Sequence, residues 1–324
     1  MRRSRLPSGQ QPRPRHNSRR TMLAMGMLLA LGTLLLIVML VTRSPTNQPT
    51  ATVPLATDGC RGLPAFATTF TAEAGGTLAL ATDRTEQGLV LLTDATVYQH
   101  PTWDDAGYLG AMAYDQMGNV YVAPTPRISL QDNPLAGVTT LWRVDSATGT
   151  MHPFVTLAGE AGERNPFGVL GLTYACGLDR LFVGTVIGST PGEERGGIVA
   201  LDRAGQQTSL VTGLDVMAVL VVATPDGYDL YAGLARSPDL VALPLDASGN
   251  PSGPLRSLLD LTTAGATAGE RARKMRLVGD ELVVDLVPFN FSLQSSATGN
   301  PQARQATWGW DADQGTWVVR ASAR

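Results

Sequence analysis

The residues able to do chemistry in this chain gather in a few connections rich in glycine and proline. Arg127, Asp132 and Asn133 fall in residues 124–137, and Glu160, Glu163, Arg164 and Asn165 in 158–166. Glu193, Glu194 and Arg195 fall in 188–197, Glu270 and Arg271 in 262–272, and Asn290 and Asn300 in 288–306. Carboxylates alternating with guanidinium groups can hold a polar ligand or a cation. They can equally satisfy one another as surface ion pairs worth under about 1 kcal/mol each. Nucleophilic catalysis lacks its usual partners. The histidines are His16, His100 and His152, the one lysine is Lys274, and no HExxH, CxxC, GxSxG or P-loop pattern occurs.

The segments between these connections read as strands. Residues 114–123 are YDQMGNVYVA and residues 224–233 are TPDGYDLYAG, each a tight acidic-glycine turn followed by an alternating apolar run. Weaker copies lie at 176–185 (CGLDRLFVGT) and 278–286 (VGDELVVDL). A device that recurs along a chain predicts a repeat architecture. Aligning the copies gives five units, 66–103, 108–158, 167–212, 214–261 and 273–321, with three or four strand-like segments in each. Four strands in about 40–55 residues make the blade of a β-propeller. The expected fold is therefore all-β, a propeller of five visible four-stranded blades within residues 60–324, with a sixth blade left open. In such a fold, connections between second and third strands share a face with those leading to the next blade. All the long connections above belong to these two kinds, so that face is the expected binding face. The turn residues Asp115 and Asp226 fall on the opposite face and are read as structural.

The Asp-x-x-Gly-x-[Leu/Val]-Tyr-Val-Ala step of residues 115–123 resembles the NHL, YncE-like and gluconolactonase-like group of propellers, over essentially residues 66–324. For the gluconolactonase-like members the resemblance implies an axial divalent cation such as Ca²⁺ held by carboxylate and amide oxygens. Here only Asp215, in Gly213-Leu214-Asp215, matches a ligand position, and an ordinary loop aspartate is the competing reading. No other cofactor is expected. Trp308, Trp310 and Trp317 alternate at strand spacing and are read as blade packing, and Asn290-Phe291-Ser292 forms a glycosylation sequon.

The N-terminal part differs from the rest. The first twenty residues carry seven arginines, whereas from Ser44 onward there are 17 basic against 28 acidic residues. The excess of acid argues against nucleic acid as a partner. Residues 22–41 are uncharged and apolar, long enough for a helix to cross a bilayer. They predict a transmembrane helix after a basic cytoplasmic tail (1–21). A Thr/Pro-rich linker (42–59) follows, and the propeller then lies outside, at the cell surface or periplasmic side. A cleaved signal and a twin-arginine export signal are the competing readings. Cys60 and Cys176 could bridge or could be separate small apolar residues. The function expected is a membrane-anchored binding or protein-interaction module whose long-loop face holds a protein or small polar ligand. A metal-dependent propeller hydrolase or lactonase and a structural subunit of a membrane complex are the alternatives.

Overall fold

Runs such as VMAVLVVAT (216–224) and ELVVDLVP (281–288) are rich in β-branched and apolar side chains, which suit a pleated, buried surface. They form antiparallel strands in a computed structural model. It describes residues 56–57, 60, 64–67, 76–80, 87–93, 97–126, 137–162, 164–292 and 304–320. A two-residue strand, β1 (Ala56–Thr57), comes first. The first sheet holds β2 (Gly76–Leu80), β3 (Leu89–Thr93) and β4 (Val97–Tyr98), and the second holds β5 (Leu109–Tyr114), β6 (Val120–Pro124), β7 (Thr140–Val144) and β8 (Met151–Thr156). The third holds β9 (Val169–Ala175), β10 (Arg180–Thr185), β11 (Gly197–Leu201) and β12 (Gln207–Thr212). The fourth holds β13 (Val216–Thr224), β14 (Gly227–Leu234), β15 (Asp239–Leu245) and β16 (Arg256–Asp260), and the fifth holds β17 (Glu270–Val278), β18 (Glu281–Pro288), β19 (Arg304–Asp311) and β20 (Thr316–Val319). Strand order follows chain order within each sheet, and every pairing is antiparallel. The result is a propeller-like all-β repeat fold whose five sheets coincide with the five sequence units.

The core is a series of layers between successive sheets. Leu89, Leu91 and Trp103 pack against Val120 and Val122, Tyr121 and Leu141 against Tyr174 and Leu181, and Phe182 and Ile198 against Val219 and Leu230. Tyr231 and Leu240 pack against Leu282 and Trp308. Each fully buried large side chain contributes about 1.5–3 kcal/mol relative to exposure. Trp308 and Trp317 are core residues, as their strand spacing predicts.

Hairpins between third and fourth strands repeat one aspartate device. The side chains of Asp145, Asp202, Asp246 and Asp311 each accept two backbone N–H groups from the turn that follows. A glycine in the left-handed region closes each turn, at 149, 205, 249 and 315. Asp115 does the same between β5 and β6, accepting from Met117 at 2.8 Å and Asn119 at 2.9 Å.

Three expectations need correction. Among the described residues no helix is long and apolar enough to cross a membrane, and residues 22–41 lie outside them. The transmembrane helix before the sheets, the membrane as a partner, and the single-pass placement with a cytoplasmic N-terminus and an outer propeller all rested on that helix. They are withdrawn with it. The first sheet has three strands among the described residues, while β1 adds to the edge of β13, with Ala56 opposite Ala223 and Thr57 opposite Val222. Finally, Glu270 and Arg271 are strand residues, because β17 starts three residues before the apolar alternation becomes visible at Arg273.

Candidate functional site

The connections that follow β10, β14 and β18, and the segments that enter β9, β13 and β17, meet in one network. At its centre is Asp215, entirely shielded from solvent just before β13. Its Oδ1 accepts from the Ser189 hydroxyl and from the Gly196 N–H at 3.0 Å, and its Oδ2 accepts from Arg236 Nε at 2.6 Å. Ser189 Oγ also accepts the N–H groups of Arg195 (2.8 Å) and Gly196 (3.0 Å). Gly196 is required by close approach. A Cβ there would lie 2.2 Å from the Thr185 carbonyl oxygen and 2.6 Å from Asp215 Oδ1.

Arg236 ties the second-to-third-strand connections of the third and fourth sheets together. Beyond Asp215 it donates to the carbonyls of Pro191, Thr190 and Glu193 at 3.1, 2.7 and 2.7 Å. Its guanidinium also lies over the Phe291 ring, 4.8 Å from the centroid, a cation–π contact with the fifth sheet's connection. Arg271 extends the network. It is nearly buried and donates to the carbonyls of Ala235, Ala268, Glu270 and Arg236 at 2.7–2.9 Å, and burial pulls its pKa down. Arg304 holds Glu270 at 2.9 Å, and that hydrogen bond keeps the carboxyl below its ordinary value of 4.5 against the opposing effect of burial.

Several of the long connections therefore meet in one network, and their residues play unequal parts in it. Asp215, Glu194, Arg271 and Asn165 are built into it. Glu194 accepts from the Asp215 N–H at 2.6 Å, and buried Asn165 donates to the Val186 carbonyl at 2.7 Å. Glu193 and Arg195 form an exposed ion pair at 2.7 Å. Arg164 is exposed, and Asn290 accepts from the Ser292 N–H at 2.9 Å. Arg127, Asp132, Asn133 and Glu163 lie outside the described residues. Sequence reasoning missed Ser189 and Arg236. Arg236 sits in a connection too short to attract notice, and Ser189 is an unremarkable serine before Thr190-Pro191-Gly192.

Both Asp215 oxygens already accept protein donors. Among the described residues no group of three or more His, Cys, Asp or Glu side chains is arranged to hold a metal ion. On the opposite face Cys60 and Cys176 are disulfide-bonded across 116 residues, with Cα atoms 5.5 Å apart.

No protein-family model and no curated protein sequence matches the chain. Among solved structures it is similar to a luciferin-regenerating enzyme, at 12% identity over 72% of this chain and 70% of that one, with a TM-score of 0.40. It is also similar to the tricorn protease, at 12% identity over 72% of this chain and 24% of that one (TM-score 0.41). A β-1,3-galactosidase matches at 15% identity over 65% of this chain and 44% of that one (TM-score 0.38). These are likenesses of fold, and nothing about activity is taken from them.

Proposed function

We propose that the chain is a binding module and that the face carrying the long connections is its recognition surface, for a protein or a small polar ligand. The observation that supports this most is the Asp215–Arg236–Ser189 network. It fastens connections from the third, fourth and fifth sheets to one buried carboxylate. Loops held this way form their contacts with little ordering cost, which is what a recognition surface needs. The exposed groups on that platform, Arg164, Glu193 and Arg195, are then available to a partner.

The test is cross-linked capture with wild type and with the triple variant Arg164→Ala/Glu193→Ala/Arg195→Ala. The variant should keep the wild-type Tm, because all three residues are exposed. A partner or ligand recovered by wild type should be lost from the variant. Equal recovery by both would move the binding surface elsewhere.

A further inference from the structure

On the face opposite the long connections, the described residues that precede the first sheet are fastened to three sheets in turn. β1 pairs with the open edge of β13, Ala56 opposite Ala223 and Thr57 opposite Val222, and lies beside β17. Cys60 is bonded to Cys176, the residue after β9. Phe66 and Ala67 are buried in the core shared by the first and second sheets, with Phe66 against Trp103 at 5.5 Å between ring centroids. The Ser146 carbonyl accepts from the Phe66 N–H at 2.8 Å, and the Ser146 hydroxyl from the Ala65 N–H at 3.2 Å.

These fastenings are unequal. A two-residue strand does not hold itself, because ordering each residue's backbone costs about as much as its ladder hydrogen bond returns. What keeps β1 in place is the bridge three residues from Thr57, a tether of roughly 10 Å at full extension. Phe66 and Ala67 hold through apolar burial, which does not need the bridge. Without it, the nearest of these fastenings to Thr57 is Ala65, eight residues away. Lengthening a flexible tether from three residues to eight dilutes its end about fourfold.

β1 stands at one end of a central cavity. The cavity, of about 230 Å³, is lined by β5, β9, β13 and β17, to which β13 contributes Ala218 and Val219. β1 covers the same edge of β13 from Val222, three residues further on. Both cysteines are half-buried, so a thiolate can reach the bridge.

We propose that the Cys60–Cys176 bridge is a redox latch that holds β1 at the end of the central cavity, and that its reduction by a dithiol releases β1 while Phe66 stays anchored. A thiolate of the dithiol attacks one sulfur of the bridge, and the second thiol then resolves the mixed disulfide. The dithiol closes into its own disulfide, and Cys60 and Cys176 gain two electrons and two protons between them as thiols. The latch lies on the other face from the recognition surface and does not depend on it.

Hydrogen exchange of the full chain, read by mass spectrometry before and after reduction with dithiothreitol, tests this. On reduction the amides of residues 56–57 should exchange at least about fourfold faster, and reoxidation should restore them. Core strands such as β10 should exchange at the same rate in both forms. The double variant Cys60→Ser/Cys176→Ser should behave as the reduced protein does. Unchanged exchange at 56–57 on reduction would overturn the latch, because strand pairing alone would then hold β1. Faster exchange throughout β9 to β12 would overturn it too, since the bridge would then be a fastening of the third sheet rather than of β1.

Discussion

Arg236 and Arg273 occupy two regions of the same repeat and use the same five donors differently. Arg236 meets the buried carboxylate of Asp215 as well as three carbonyls, so its charge is compensated inside the long-loop platform. Arg273 instead donates to the carbonyls of Leu170 and Gly110, on the first strands of the third and second sheets. The first arrangement fixes loops. The second ties strands of three sheets to one side chain. A guanidinium bound to a buried carboxylate is held more strongly than one bound to neutral carbonyls.

The contrast breaks most visibly at Asp215. Asp215→Ala leaves Arg236, Ser189 and the Gly196 N–H without their shared acceptor, with Arg236 only 25% exposed. Removing one partner of a buried pair costs about 3 kcal/mol at the low end, or roughly 6–12 °C in Tm for a domain of this size. Thermal unfolding of the variant checks this. A loss near zero would mean that the platform is not organised around the carboxylate.

Arg273→Ala should cost less. It releases the carbonyls of Leu170 and Gly110, but these face a cavity that water can enter, so about 1–2 kcal/mol is expected from denaturant titration. If Arg273→Ala proves more damaging than Asp215→Ala, the central guanidinium and not the buried carboxylate is the principal fastening of the repeat.

These two variants also mark what could be read from the chain. The five units were legible because alternation and acidic-glycine turns are local. Residues 115–123 and 225–233 show turn and strand side by side in sequence. The long-loop face was legible for a related reason, since loop length and position in the repeat place Glu193, Glu194 and Asn165 together. Asp215 was singled out as a candidate cation ligand, whereas its neighbours make it the acceptor for Ser189 and Arg236. Nothing local links residues 189, 215 and 236, which meet only when neighbouring blades come together. The single-residue skips in the pairing of β5, β9, β13 and β17, at Gly110, Leu170, Met217 and Arg273, were illegible altogether. A skipped pairing at Arg273 depends on register with β18, and the alternation of KMRLV looks regular without it. The aspartates at 145, 202, 246 and 311 carry a local signal too, since each precedes a glycine by three or four residues, a spacing as regular as that of the acidic-glycine turns.

A smaller effect tests whether ion pairs on the platform's rim belong with its buried centre. The hydrogen bond from Arg304 is the largest cause of the depressed Glu270 pKa. Burial opposes it and the Thr267 N–H adds to it. A depressed carboxylate contributes stability that is present above its ordinary value of 4.5 and is lost as pH falls through the lower folded value. Arg304 is 42% exposed, so solvent screening keeps the contribution under about 1 kcal/mol. Glu270→Gln should therefore be slightly less stable than wild type at neutral pH, and the difference should shrink below pH 4.5. A difference that is constant with pH would assign Glu270 to packing.

The smallest expected effect discriminates most sharply between the two regions. The side chain of Lys274 is exposed and makes no hydrogen bond or ion pair among the described residues, with Asp285 opposite it in the β17–β18 ladder. Lys274→Ala should then change stability by no more than about 0.5 kcal/mol in either direction. A loss above about 1 kcal/mol would show that Lys274, like Arg236, is part of the framework.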